Sequence, residues 1–567
     1  MKTPCFLILL IFGMHLYSIA QLSVAQSTIS GNCVKPNGPE WMHNAVFYQI
    51  YPQTFYDSNG DGIGDLQGII QKLDYVKNLG PTAIWLSPFY ESPFRDAGYD
   101  VSDYYKVAPR YGTNADARQL FDEIHKCGMK VIIDYVPGHT SIDHPWFKES
   151  VKAEKNKYSN WYIWTNDTWF TDMDKYSKGF IQGYSERDGN FMTNFFWHQP
   201  ALNYGYGKPD PAQLWQLPVD HPDVLALKAE MKNVMKFWLD MGCDGFRVDM
   251  AGSLIKNDVN QECSKYWQEI RKWLDSDYPE AFVVSEWSYP VAAINGGFHS
   301  DFMHWFNGYD DLFRDDTATS KHSFFNSDGK GNISNFLQIY LNQLTPTKDR
   351  GYITVPFANH DLPRIKIGNR TDKDLEIIFA FELTMPGLPF LYYGDEIGMR
   401  QLYNLPFTEG SYGTRAGDRT PMQWNGGLNK GFSTSSPEYL YRGVDTAKDA
   451  PNVADSEKAM ESLLNKVRHL IRLHGTEPAL AANAEFVPVF VQENSYPFVF
   501  IRAIGKNRLL VVLNPAARDC TAKFTINYET TSPVLIGGSA LQIQKNGKEF
   551  IVQAKAASYS IYRLNEK

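Results

Sequence analysis

The sequence predicts an α/β protein: a (β/α)8 barrel, a small domain inserted after its third strand, and a C-terminal antiparallel β-sandwich. Three observations predict it. Apolar runs such as Val131–Ile133 and Phe282–Val284 read as strands buried on both faces, the pattern of a parallel sheet. Helical periodicity fills the stretches between such runs, for example at Asp116–Lys126 and Val224–Asp240. Beyond a helix at Ala459–Leu473 the period changes from helical to alternating.

The candidate barrel strands, in order, are Val46–Tyr51, Ala83–Leu86, Lys130–Tyr135, Gly245–Val248, Ala281–Ser285, Asp301–Trp305, Tyr352–Phe357 and Pro389–Tyr392. Eight strand–helix units imply a closed parallel barrel. One connection is out of proportion. About 100 residues, rich in Trp, Tyr, Asn and Asp, run from Asp134 to Gly245, and a loop that long inside a compact domain is usually functional. Residues 138–206 are therefore assigned to a small domain over the barrel mouth, leaving 40–137 and 207–478 to the barrel. Alternating runs at Phe486–Gln492, Phe498–Ala503, Arg508–Asn514 and Tyr559–Leu564 place the β-sandwich at 480–567.

The N-terminus reads as an export leader. Lys2 supplies a positive charge, Phe6–Leu16 is apolar, and small residues precede cleavage points after Ala20 or Ala25, so residues 1–25 are taken as a signal peptide. The apolar run is short for a membrane span, and no later segment approaches the required length. The mature chain is expected to be secreted or periplasmic. Asn32 before Cys33 argues against lipid attachment. Loss of Cys5 with the leader leaves Cys33, Cys127, Cys243, Cys263 and Cys520, an odd set that is neither a disulfide framework nor a CxxC metal site. Cys127 and Cys243, each a few residues before a barrel strand, are expected to be buried free thiols.

A net charge of −9 with no basic block argues against nucleic acid or an anionic membrane as partner. The 35 Phe, 33 Tyr and 14 Trp suit a carbohydrate, whose apolar faces stack on flat rings, although any single ring is better read as core. A monomer acting on a small molecule is the expectation.

Five motifs sit at the ends of strand-like runs: Asp134–His139, Gly245–Asp249, Val283–Glu286, Asn359–Asp361 and Gly394–Glu396. Acids just past parallel strands are what a barrel presents at its catalytic face. Asp249, Glu286 and Asp361 make a pair plus a helper, the equipment for cleaving a glycosidic bond. Taken singly, an Arg-x-Asp pair such as Arg247 and Asp249 fits a structural ion pair equally well, and a lone histidine fits a satisfied core residue.

Further motifs run from Tyr48-Gln49-Ile50-Tyr51-Pro52 through Asp57-Ser58-Asn59-Gly60-Asp61-Gly62-Ile63-Gly64-Asp65 and Gly98-Tyr99-Asp100 to Arg419-Thr420-Pro421-Met422-Gln423-Trp424. Taken in order over residues 40–565, the set resembles the α-amylase superfamily, glycoside hydrolase family 13, and within it the α-glucosidase and oligo-1,6-glucosidase branch. The resemblance implies Asp249 as nucleophile, Glu286 as acid/base, with its pKa held up by burial and nearby anions, and Asp361 as a third acid on the sugar hydroxyls. It implies that Arg247 keeps Asp249 ionised, and that His139 and His360 contact the same glucose. Asp96, with Tyr99 beside it, and Arg419 match a pair that grips the non-reducing glucose and closes the cleft into a pocket.

Asp57, Asn59, Asp61, the Ile63 carbonyl and Asp65 alternate along a Gly-rich loop, the oxygen-ligand spacing of a structural Ca²⁺ site. Departures from the family pattern are Gly138 in place of Asn before His139, Ala201 in place of Asp, and Met250 after the nucleophile, which leaves linkage preference open. The reading is an exported retaining exo-α-glucosidase acting on maltose- or isomaltose-type oligosaccharides. The alternatives are a transglucosylase or trehalose/maltose-isomerising enzyme, then an endo-amylase, then a non-catalytic glucan-binding relative.

Overall fold

The structure, a computed structural model, describes residues 29–169, 179–306, 308–316, 320–492, 495–530 and 532–564. The leader expected at 1–25 lies outside them. Eight strands form one sheet: β1 (Phe47–Ile50), β2 (Ala83–Leu86), β3 (Lys130–Tyr135), β4 (Gly245–Val248), β5 (Phe282–Ser285), β6 (Ser300–Phe302), β7 (Tyr352–Thr354) and β8 (Phe390–Tyr392). Their spatial order is β7-β6-β5-β4-β3-β2-β1-β8, and every ladder is parallel. That is the order of a (β/α)8 barrel, and Thr354 Oγ1 donates to the Leu388 carbonyl at 3.0 Å across the remaining seam.

Period-two alternation sends every second side chain into the lumen. The lower layers are apolar: Phe47, Trp85, Ile132, Phe282, Phe302 and Phe390 share one buried cluster. Phe47 stacks on Phe390 with centroids 4.1 Å apart and on Phe282 at 5.2 Å. Crossover helices cover the outside, and their starts are written in the sequence. Thr113 caps Asn114–Lys126 through a reciprocal capping box with Asp116. Pro222–Met241 opens on Pro at its first position and ends at a left-handed Gly242.

Between β3 and that second helix the chain builds a small unit. It holds a helix at Pro145–Ser150, a two-stranded sheet of Phe180–Ile181 and Phe191–Met192, and a core of Ile163, Met192, Ala201, Tyr206 and Trp215. The bridge between His139 and Ala201 ties it to the rim beyond β3.

The C-terminal part has a five-stranded sheet (Glu485–Phe490, Phe498–Ile504, Asn507–Asn514, Ser558–Leu564, Val534–Gly538) and a three-stranded one (Cys520–Thr525, Glu549–Ala554, Gln542–Asn546). Periodicity located the first four. Val534–Gly538 and Gln542–Asn546 escaped it because most of their residues face water, which leaves little apolar pattern to read. All five described cysteines are free, and Cys127 is half-buried where full burial was expected. Among the described residues no helix is long and apolar enough to cross a membrane.

Candidate active site

The alternation that fills the lumen with rings also decides what reaches the rim. Arg247 faces inward on β4, and Asp249 follows on the same side just past the strand end. β5 delivers Glu286 one residue after Ser285, and β3 delivers Asp134. The four meet on one guanidinium. Arg247 Nη1 lies 2.6 Å from Asp134 Oδ1 and 2.9 Å from Asp249 Oδ1, and Nη2 lies 2.7 Å from Glu286 Oε2. All four are largely sequestered from water, where a charge is tolerated only when paired.

One cation among three acids sets the protonation. Burial pushes the Asp249 carboxyl well above the usual range against the pull of Arg247, and the charges of Glu286 and Asp134 add to the rise. Burial works on Glu286 in the same sense, but Arg247 and His304 outweigh it and draw that carboxyl down to about 2. The expectation of a raised Glu286 is therefore corrected for the free site. The reason is geometric: Arg247 extends its second nitrogen to Glu286, and His304 Nε2 stands 3.7 Å away on the other side. The pair titrates as a unit, with Asp249 pushed up by burial and Glu286 drawn down by Arg247 and His304.

Asp361, beyond β7, is held well below the ordinary carboxylate range: burial would raise it, but His360, Arg415 and Arg419 outweigh burial. His360 Nε2 is 3.2 Å from Asp361 Oδ2 and 2.6 Å from the Tyr99 hydroxyl, while Gln49 Nε2 donates to its Nδ1 at 2.8 Å. His139 is fixed in the same way, with Asn194 Nδ2 on Nδ1 at 3.0 Å and the Tyr99 carbonyl on Nε2 at 3.1 Å. Burial keeps both imidazoles below their usual pKa, His139 at about 4, so both are neutral.

The expected Asp96–Arg419 pair is not a direct contact. Arg419 Nη2 lies 2.8 Å from Asp361 Oδ1, its Nε donates to the His360 carbonyl at 2.7 Å, and its Nη1 donates to Ser411 Oγ at 3.0 Å. Asp96 instead accepts from Gln199 Nε2 at 2.7 Å, and its nearest cation is Arg415, at 3.8 Å. Burial lifts the Asp96 carboxyl to about 7 against the pull of Arg415 and Arg419. Arg415 also reaches Asp361 at 3.0 Å. Sequence reasoning missed Arg415, Gln199, Asn194 and His304. Arg415 was the most findable, one helical turn before Arg419.

Asn194 explains Gly138. A Cβ on Gly138 would lie 2.7 Å from Asn194 Nδ2, so the amide of Asn194, which bonds His139, takes up the space beside residue 138. The acids of the fifth motif turn into the wall: Glu396 accepts from Tyr48 and Tyr75 at 2.8 and 2.6 Å, and Asp395 pairs with Arg364 at 2.9 Å. Asp249, Glu286, Asp361, Asp96, Arg415 and Arg419 border one cavity of about 270 Å³, with Tyr99, His139 and Met250 also in its wall. Phe195 and Trp305, 50% and 59% exposed, stand where it meets solvent.

A profile of the α-amylase catalytic domain matches residues 49–483. The chain belongs to the α-amylase family. It is 32% identical over 495 residues to a trehalose synthase/amylase, TreS, of Mycolicibacterium smegmatis, covering 79% of this chain and 78% of that one. An oligo-1,6-glucosidase of Heyndrickxia coagulans is 31% identical over 538 residues, 84% of this chain and 92% of its own. Among solved structures, the isomaltulose synthase of Klebsiella sp. LX3 superposes with a TM-score of 0.75 at 26% identity, over 93% of this chain and all of that one. This α-amylase family member is thus a glycoside hydrolase by family.

The loop assigned to calcium folds as successive side-chain-capped turns. Asp57 accepts from the amides of Asn59, Gly60 and Gly62 and from Ser433 Oγ, Asn59 from the Asp61 amide, Asp61 from the Ile63 amide, and Asp65 from Ser58 and Gly68. The donor set of Asp57, Asn59, Asp61, the Ile63 carbonyl and Asp65 is all hard oxygen, which fits Ca²⁺ chemically. Among the described residues, however, no three carboxylate, imidazole or thiolate groups are arranged to hold a metal, these acids included. As it stands, the loop satisfies its acids with its own amides.

Proposed function

We propose that the chain is an exported, retaining, exo-acting α-glucosidase that removes the terminal glucose from maltose- or isomaltose-type oligosaccharides. One observation carries this reading: the acid pair on Arg247 opens into a small cavity whose other groups, Asp361, Arg415, Arg419 and Asp96, form a charged cluster suited to sugar hydroxyls. At about 270 Å³ it suits one sugar ring better than a chain running through.

In this reading Asp249 attacks the anomeric carbon while Glu286 gives its proton to the leaving oxygen, forming a covalent glucosyl-enzyme. Glu286 then takes a proton from water, which attacks the same carbon, so the configuration is retained. Retention needs carboxyl groups about 5–5.5 Å apart, and both acids here contact the one guanidinium of Arg247. The reaction requires a proton on Glu286 and an ionised Asp249, so in this reading the seated sugar draws Glu286 away from Arg247 and leaves Asp249 as the arginine's partner. Asp361, held ionised by three cationic or donor neighbours, binds hydroxyls more tightly as the ring distorts.

A second reading, glucosyl transfer or isomerisation, uses the same first step and is supported by the exposed Phe195 and Trp305 rings, which offer an acceptor sugar a stacking surface. The printed activities of TreS and the isomaltulose synthase point the same way. Product analysis on maltose, isomaltose, trehalose, sucrose and starch tests both. Early digestion of maltoheptaose giving glucose and maltohexaose supports the pocket. A first-formed spread of maltose and maltotriose overturns it, and new disaccharides from maltose or sucrose mark transfer.

Two expectations are carried with this proposal. Residues 1–25 act as the export leader, which N-terminal sequencing of the mature protein checks. Ca²⁺, held by Asp57, Asn59, Asp61, the Ile63 carbonyl and Asp65, would stiffen the loop and take no part in bond cleavage.

A further inference from the structure

The turn at 408–411 is built against its own residue preferences. Thr408 and Ser411 form an antiparallel bridge, and both central residues, Glu409 and Gly410, have positive φ (+45° and +72°). That is the pattern of a type I′ turn, which favours Asn, Asp or Gly at its first central position. Glutamate has no backbone reason to be there.

Its side chain supplies one. Glu409 receives both nitrogens of the Arg110 fork, Nη1 on Oε2 and Nη2 on Oε1, each at 2.9 Å. Both partners are about three-quarters buried, at 23% and 25% exposure, and the guanidinium lies over the Phe94 ring with its carbon 3.6 Å from the centroid. Planar bidentate pairing of this kind fixes orientation as well as distance. It anchors the segment after β8 to the connection between β2 and β3.

The anchored turn touches the wall of the pocket at three points. Gly410 sits directly on Asp96: a Cβ there would lie 2.6 Å from the Asp96 Cα, so no other residue fits. Ser411 Oγ accepts from Arg419 Nη1. Arg415, four residues on, reaches Asp361 and approaches Asp96.

We propose that Arg110 and Glu409 are positioning residues that latch this turn against the pocket, holding Asp96, Arg415 and Arg419 where they read the terminal glucose, and so set exo-action and sugar affinity without touching the bond that breaks. The inference rests on the exo-glucosidase reading above.

The test compares Glu409→Gly, Arg110→Met and the double variant on maltose and maltoheptaose. Glu409→Gly relieves the strained backbone while removing the pair, two opposing effects, so it should fold with a Tm nearer to that of the parent enzyme than Arg110→Met does. Its KM for maltose should nonetheless rise about tenfold with kcat within about twofold, since positioning of the glucose and not the chemistry is lost. Maltose should join glucose among the first products from maltoheptaose. Arg110→Met should behave alike and the double variant no worse, because both changes break one contact. Unchanged KM and products in Glu409→Gly, or a fall in kcat with KM unmoved, overturns the proposal. If the parent enzyme itself releases maltose and maltotriose first, it is the exo-glucosidase reading that has failed.

Discussion

On the floor of the barrel Phe47, Phe282 and Phe390 stack ring on ring, and further along the same inward faces stand Gln49, Glu286 and, on β4, Arg247 and Asp249. Strand, alternation and burial are shared; the side chains are opposite in kind. The floor stabilises: each buried aromatic ring contributes on the order of 1.5–3 kcal/mol in transfer from water. The rim holds charges that tolerate burial only through one another, and opening one such pair costs about 3–5 kcal/mol. The difference teaches that one geometry serves both ends, and that the rim trades the stability of a packed ring for groups that can react.

Breaking the rim at its centre should have the largest effect. Asp249→Asn and Glu286→Gln should each lower kcat by at least about 10³-fold, because a positioned nucleophile or acid is lost, with the melting curve little changed. Near-normal turnover in either would remove it from the chemistry. Arg419→Ala uncovers Asp361 and should cost about 3–5 kcal/mol in kcat/KM. The loss should be similar for maltose, isomaltose and an aryl α-glucoside, since the contact is to the shared glucose; a loss confined to one linkage would place Arg419 elsewhere.

The floor should answer in the other currency. Phe47→Ala should lower stability by about 3–5 kcal/mol in a denaturant titration while the folded fraction keeps its kcat; a kcat loss without destabilisation would erase the distinction between floor and rim. The loop at 57–65 should behave like floor. If Ca²⁺ binds it, EDTA should lower Tm by a few degrees with kcat at room temperature nearly unchanged, since a ligand of the native state adds stability. Asp61→Ala should show the same lowered Tm without chelator. A chelator-insensitive Tm and no bound metal by elemental analysis would leave an amide-satisfied turn.

The smallest effect sharpens the comparison. Asp301 on β6 is a buried acid hydrogen-bonded by Ser285 Oγ and the Trp287 amide, with no cation paired to it among the described residues, and burial pushes its carboxyl up to about 8. A folded pKa raised above the unfolded value of about 3.9 means stability that is complete below about pH 4 and lost as pH rises through 8. Asp301→Asn keeps an acceptor for both donors and cannot ionise. Its Tm should match the parent near pH 4 and exceed it increasingly up to about pH 8; a difference independent of pH would show that the folded carboxyl titrates like the unfolded one and is ionised in the fold.

The eight strands, the helices between them and the acids at their ends were legible because each depends on local pattern. Buried parallel strands such as β3 and β5 are apolar runs, helix starts carry caps such as Thr113, and Asp249 must follow Arg247 by two residues to share its face. Pairings between distant segments were not legible. The sequence reading gave Arg419 to Asp96, but folding places it on Asp361 and leaves Asp96 to Gln199 and Arg415. Nor does periodicity reveal that Asn194 fills the space above Gly138, or that Arg110 reaches Glu409 across some 300 positions of chain. Residue type by itself determined which groups could do chemistry at which strand ends. Only tertiary structure decided which charge neutralises which, because electrostatic pairing depends on distance through space.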